Sequence, residues 1–235
     1  MAEPVRVAVL ISGRGSNMLA LSEHKRRDPE RAYRIVLVAS NVPDARGLVL
    51  AKRLGIPIWA HSHEGMKRAA FDALLDAQLR AHDVEIVALA GYMRVLTAPF
   101  VDKWLGRMIN IHPALLPSFT GLDTHRRALD AGVRIHGCSV HFVTAQVDNG
   151  PIIAQAAVPV LAGDSEQTLA ARVLKAEHQL YPLALRLVAE GRARIVTGRT
   201  VFDLAGASER ASSALVAPDL RPLAENLEDL ARFTP

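Results

Sequence analysis

Three groups of residues in this chain have types and spacings suited to chemistry. The first is Asn110-Ile111-His112-Pro113, followed by Leu115-Leu116-Pro117. In an extended strand Asn110 and His112 point to one face, while Ile109 and Ile111 point to the other. Pro113 cannot donate to a ladder, so the strand should stop there and leave both polar side chains at its carboxyl end. An amide donates a hydrogen bond to a carbonyl oxygen, and an imidazole gives or takes a proton near neutral pH. Together they suit the oxyanion of an acyl transfer. A histidine that merely closes a strand explains His112 as simply.

The second group is Ser12-Gly13-Arg14-Gly15-Ser16-Asn17, between an apolar run and a helical stretch. Its glycines let the backbone turn tightly, and the first N–H groups of the helix are anion donors. It is neither a full dinucleotide fingerprint nor a Walker loop. Phosphate binding and a plain turn both fit. The third group is Val147-Asp148-Asn149-Gly150-Pro151. This is ordinary turn chemistry; the alternative sets Asp148 beside His112, where a carboxylate favours the imidazolium and orients it.

Apolar runs alternate with amphipathic stretches, as in a parallel sheet wrapped by helices. The pattern predicts strands over residues 5–11, 34–39, 56–60, 85–89 and 108–112, with helices over 17–27, 45–54 and 67–82. Residues 135–143 and 152–158 flank a turn-like stretch and form an antiparallel pair. Residues 165–190 read as a long helix with a Ser cap and a closing Gly191, punctuated or kinked at Tyr181-Pro182. The fold class is α/β: a Rossmann-like, mostly parallel sheet with helices on both faces and an antiparallel pair in its C-terminal half. Residues 1–195 make one domain, an N-terminal half (1–105) with the candidate phosphate-binding loop and a second half (106–195) with the candidate catalytic residues. Residues 196–235 form an extension, in which Leu223, Leu227 and Leu230 either face one side of a short helix or belong to a disordered tail.

The 235 residues include one cysteine, Cys138, which excludes an internal disulfide and fits a reducing compartment. No run approaches the length that crosses a bilayer, and the start lacks a signal-peptide pattern, so the chain reads as cytoplasmic. The net charge of +4 is uneven. Residues 196–235 hold four Arg against six Asp or Glu, a balance of −2, leaving +6 for the remainder. A basic body serves a phosphorylated or polycarboxylate ligand as well as nucleic acid. His61 and His63 lack partners at metal-ligand spacing.

The motifs Ile11-Ser12-Gly13-Arg14-Gly15-Ser16-Asn17, Ala90-Gly91-Tyr92-Met93-Arg94, Asn110 to Pro117, His141-Phe142-Val143 and Asp148-Asn149-Gly150-Pro151 resemble the glycinamide ribonucleotide formyltransferases in order and interval. The resemblance runs over residues 5–195. It implies transfer of a formyl group from 10-formyltetrahydrofolate, as co-substrate and without metal, to the amine of a ribose-phosphate substrate in purine biosynthesis. It also implies small-molecule partners only, with no nucleic acid or membrane, and a monomer or weak homodimer. By resemblance Asn110 binds the formyl oxygen, His112 is the general acid and Asp148 pairs with His112. Gly15, Ser16 and Asn17 hold the phosphate, with Glu177 near the glycinamide end. Met93, Arg94, Val95 and Leu96, together with Thr144, Ala145, Gln146 and Val147, line the folate pocket, and Arg68 is a basic residue on the folate side, although a solvated helix Arg accounts for it too.

Asn149 and Asp123 depart from the family pattern, which puts the folate loop and any ligand role of position 123 in question. Formyltetrahydrofolate hydrolases and methionyl-tRNA formyltransferases share the Asn, His and Asp. The former usually carry a preceding regulatory domain and the latter a β-rich C-terminal one, and neither is expected here. A non-catalytic folate- or nucleotide-binding module is the remaining alternative, since a fold alone does not prove activity.

Overall fold

The computed structural model describes residues 3–27 and 32–203. The helix expected around Leu223, Leu227 and Leu230 lies outside them. Strand β1 (Val5–Ile11) leads through α1 (Ser16–Arg27) to β2 (Tyr33–Ser40), then α2 (Arg46–Arg53) and β3 (Ile58–Ala60). Helix α3 (Arg68–Ala81) crosses back to β4 (Ile86–Leu89), and α4 (Ala98–Lys103) leads to β5 (Met108–His112). After α5 (Thr124–Asp130) come β6 (Ile135–Phe142), β7 (Ile152–Pro159) and α6 (Glu166–Ala189). A hairpin, β8 (Ala193–Val196) and β9 (Arg199–Phe202), follows.

Among the described residues seven strands form one sheet in the order β3-β2-β1-β4-β5-β6-β7. The five from β3 to β5 are parallel, and β6 and β7 add antiparallel pairings. The expected class is therefore observed, with the antiparallel pair at the C-terminal side. Because β2 and β4 flank β1 on opposite sides, successive crossovers diverge there and open a crevice at the strands' carboxyl ends.

Alternation along β1 divides the core. Val7, Val9 and Ile11 pack with Met18 and Leu21 of α1, Leu48 of α2, and Leu169, Val173 and Leu185 of α6. Ala8 and Leu10 face the opposite layer, with Phe71, Leu75 and Leu79 of α3 and Phe100 of α4. A strand buried on both faces has to be apolar throughout, which is why β1 reads as a continuous run.

Two expectations fall on α6. Helix α6 runs unbroken through Pro182, so the proline does not end it. Its neighbour Tyr181 is fully buried and donates its hydroxyl to Leu89 O of β4 at 2.9 Å, fixing the helix against the sheet. The Ser165 cap is present: its Oγ accepts Thr168 N, and the Thr168 side chain accepts Ser165 N. Helices α4 and α5 span one or two turns, too short to show periodicity in sequence. The β8–β9 hairpin crosses residue 195, turning at Thr197 and Gly198, both at positive φ as a type I′ turn requires.

Candidate active site

Strand β5 ends at the crevice with Asn110 and His112 on one face, and the antiparallel register with β6 sets His141 directly opposite Asn110 and Ser139 opposite His112. Cross-strand partners touch. Asn110 Nδ2 lies 3.2 Å from His141 Nε2, and the other His141 nitrogen, Nδ1, lies 2.9 Å from Phe142 O. His112 is 5% exposed.

Asp148 arrives from the loop between β6 and β7. Its φ is +52°, and the loop returns so close that a Cβ on Gly150 would lie 1.7 Å from Phe142 O. Only glycine permits that approach, so Gly150 sets where Asp148 stands. Its Oδ2 lies 3.4 Å from His112 Nδ1 and accepts Gly121 N at 2.8 Å, while its Oδ1 is 3.8 Å from His141 Nε2. His112 Nε2 is 2.9 Å from Phe119 O. Both imidazole nitrogens of His112 thus face acceptors, an arrangement that only a doubly protonated ring satisfies at both ends. The segment carrying Phe119 and Gly121 is pinned by Ser139 Oγ, which accepts Leu116 N and donates to Ala114 O, and by Gln155 Nε2 on Leu116 O.

On the other side of the crevice, Gly15 stands at φ +76° and crosses Gly47 of α2 so closely that a Cβ on it would sit 2.7 Å from Gly47 Cα. Gly47 N donates to Gly13 O at 3.0 Å, which holds the loop onto α2. Ser16 opens α1, and Asn17 Nδ2 donates to Glu177 Oε2 at 2.7 Å, linking α1 to α6. Asn17 Oδ1 is buried and has no hydrogen-bond partner among the described residues. Burial pushes the Glu177 carboxyl upward, opposed by the Asn17 hydrogen bond and the field of His112. Glu177 is therefore within electrical reach of the β5 cluster.

Residues 91–97 form a clamped strap after β4. Ser12 Oγ accepts Met93 N at 2.8 Å and donates to Asn41 Oδ1 at 2.6 Å, so one hydroxyl joins the glycine loop to the strap. The Arg94 guanidinium lies over the Phe71 ring at 4.9 Å, and Asp72 Oδ2 accepts both Thr97 N and Thr97 Oγ1. Met93 and Val95 point outward, 66% and 52% exposed, while Leu96, like Tyr92 and Val143, packs against the core layer that holds α3. Arg68 is the exposed first residue of α3, one turn before Asp72. Thr144, Ala145, Gln146 and Val147 belong to the Asp148 loop; Thr144 Oγ1 donates to Gln146 O, and Asn149 Nδ2 to Gln146 Oε1. The structure thus brings Asn110, His112 and Asp148 together, and Asn17 to Glu177. Asp123 is exposed at φ +54°, at the start of α5, and makes no side-chain cap bond there.

Sequence reasoning gave no role to His141, Gly47, Gly121 or Ser139. The register of residues 135–142 against β5 is the signal that finds His141 and Ser139, since it sets them opposite Asn110 and His112. His61 and His63 hold Ser62 O and Asn41, respectively.

The fold and this cluster define a class: a Rossmann-like α/β enzyme with an amide, an imidazole and a carboxylate gathered at the carboxyl end of the sheet. The chain belongs to the formyl transferase family, which it matches over residues 5–185. It is 43% identical over 192 residues to the phosphoribosylglycinamide formyltransferase of Escherichia coli (strain K12), a match covering 81% of this chain and 90% of that protein. It is 52% identical over 191 residues to the trifunctional purine biosynthetic protein adenosine-3 of Bos taurus, but spans only 19% of that longer protein's length. The crystal structure of glycinamide ribonucleotide transformylase 1 from Symbiobacterium toebii is similar with a TM-score of 0.81 at 45% identity, over 86% of this chain and 95% of that one. No helix among the described residues is long and apolar enough to cross a membrane.

Proposed function

We propose that this chain transfers the formyl group of 10-formyltetrahydrofolate to the amine of glycinamide ribonucleotide, giving formylglycinamide ribonucleotide and tetrahydrofolate. The observation that carries the reading is the Asp148 carboxylate set against His112, two residues beyond Asn110 on the same strand face. In this reading Asn110 Nδ2 donates to the formyl oxygen, and the charged His112 ring stabilises the negative charge that forms when the amine attacks. His112 then supplies the proton that the departing folate nitrogen takes up, and the proton released by the attacking amine restores it. Asp148 holds the imidazolium in place through its Nδ1. Since Nε2 is engaged by Phe119 O and Nδ1 by Asp148, His112 must exchange one of these contacts for the substrate.

The ribonucleotide phosphate falls to the N–H groups of Gly15, Ser16 and Asn17 at the start of α1, where an anion is favoured. Glu177, with Asn17, faces the glycinamide end; the unpartnered Asn17 Oδ1 suits an N–H donor. The folate fits the apolar surface left exposed by Met93, Val95 and Val147, which a flat aromatic ring would cover, with backbone groups of residues 93–96 and 144–147 reading its edge. Arg68, exposed at the start of α3, is the cation for its carboxylates. As a small-molecule enzyme it is expected to work as a monomer or weak homodimer.

The test is formyl transfer from 10-formyltetrahydrofolate with glycinamide ribonucleotide, water or initiator methionyl-tRNA as acceptor. Product is expected only with the ribonucleotide. Folate release without an acceptor would mean a hydrolase, and no consumption at all a binding protein.

A further inference from the structure

The two ends of the Asn110 carboxamide are alike in size but opposite in hydrogen bonding, so a neighbour has to decide which end faces the reaction. An oxygen there would set lone pairs against a developing oxyanion. His141 is the neighbour opposite on β6, 2% exposed, and its hydrogen bonds determine its own tautomer. Nδ1 is 2.9 Å from the carbonyl oxygen of Phe142, which can only accept, so Nδ1 carries a hydrogen. The ring is confined on that side, since Gly150 comes so close that a Cβ on it would lie 3.4 Å from Nδ1. Nε2 is then left bare, unless the ring is charged. Burial opposes that charge and pushes the His141 imidazole below its ordinary value, against the smaller upward pulls of Phe142 O and Asp148. A bare Nε2 accepts a hydrogen bond, and the atom in front of it at 3.2 Å is Asn110 Nδ2.

We propose that His141 is a positioning residue: as the neutral ring protonated on Nδ1, it holds the nitrogen end of the Asn110 carboxamide at the reaction centre. Nδ2 carries two hydrogens; His141 takes one and the second remains for the substrate oxygen. The Asp148 carboxylate stays out of this pair, because its Oδ1 is 3.8 Å from His141 Nε2 while its Oδ2 is occupied by Gly121 N and His112. Two histidines in one site thus do opposite work, His112 with acceptors at both nitrogens and His141 with an acceptor at one and a donor at the other.

This inference rests on the formyl-transfer reading for its kinetic consequence but not for its tautomer. In ¹⁵N-histidine-labelled protein at neutral pH, NMR should show His141 protonated at Nδ1 and bare at Nε2; a proton on Nε2 overturns the proposal. In the transfer assay His141→Phe, which fills the space without an acceptor, should lower kcat by about 30-fold, part of the loss seen when one oxyanion donor is removed. Both KM values should stay within about threefold, since most ground-state contacts of the substrates are elsewhere and the Asn110 bond strengthens only as the oxyanion forms. His141→Gln restores an acceptor and should recover part of the rate. With Asn110 already replaced by Ala, His141→Phe should cost less than about threefold more, because nothing is left to orient. An equal cost in both backgrounds would show that His141 acts independently of Asn110. Wild-type protein that transfers no formyl group would sink the formyl-transfer reading and leave the tautomer result standing.

Discussion

The two sides of the crevice are built from different materials. Around β1 the site is backbone: Gly13, Gly15 and Gly47 meet without side chains between them, and the groups offered are N–H at the start of α1. Around β5 it is side chain: Asn110 and His112 from one strand, His141 from the next, Asp148 from a loop, each oriented by a polar neighbour. A backbone site holds a ligand's charge equally in ground and transition states, whereas a cluster of acid, amide and carboxylate acts on charge that appears only during reaction. Substitutions near β1 should therefore raise KM, and those near β5 should lower kcat.

The strongest way to break this contrast is at the β5 cluster. His112→Ala and Asp148→Ala are each expected to reduce kcat by at least about 1,000-fold, the scale of losing a general acid or its partner. The double variant should be scarcely worse, since the two act as one unit. Circular dichroism should show the fold retained, and the ribonucleotide should still bind. A variant with near wild-type turnover would remove His112 or Asp148 from the chemistry.

The matching test on the other side is Gly47→Ala. Its added Cβ would lie 2.9 Å from Gly15 Cα and 2.5 Å from Ile11 Cδ1, so the glycine loop has to shift. A loop displaced from the phosphate should raise the ribonucleotide KM about tenfold, or about 1.4 kcal/mol, with kcat changed less than threefold. If kcat falls instead, steady-state kinetics will have shown that the loop also aligns the reacting groups. The Ser12 hydroxyl, which touches both the loop and the Met93 strap, is the path by which that would happen.

The same division governs what the sequence reveals. The glycine loop is local: its strand, turn and helix are consecutive, so Gly13, Gly15 and the start of α1 are readable at once. Asn110 and His112 are readable because spacing of two puts them on one face. Gly47 is not, since its role depends on a crossing with Gly15 that no pattern in α2 announces. Asp148 is ambiguous in sequence because Asp-Asn-Gly-Pro is also a good turn; what selects its place beside His112 is the return of Gly150 against Phe142 O. The carboxylate, His112 and Gly121 are brought together by sheet pairing across long stretches of chain. Short α4 and α5 stayed hidden because one or two turns carry no period, and α6 overrode the proline because Tyr181 and its apolar neighbours bury so much around it.

Helix α6 packs against both halves, which makes its N-terminus the place to separate stability from kinetics. Asp164, just before the Ser165 cap, accepts two bonds from Arg172, at 2.7 and 2.9 Å, along with Leu161 N and Thr168 Oγ1. The Arg172 guanidinium holds the Asp164 carboxyl far below its ordinary 3.8. A carboxylate whose folded value is depressed contributes stability that is complete above the unfolded value and is lost as pH falls toward the folded one. Asp164→Asn should therefore cost about 2 kcal/mol at pH 7, the scale of charged hydrogen bonds, with both KM values and kcat unchanged. In urea titrations the gap between variant and wild type should narrow steadily below about pH 4, because acidification removes the same charge from the wild type. A gap that stays constant down to pH 2 would mean that the carboxylate's charge contributes nothing there, and that shape alone holds the start of α6.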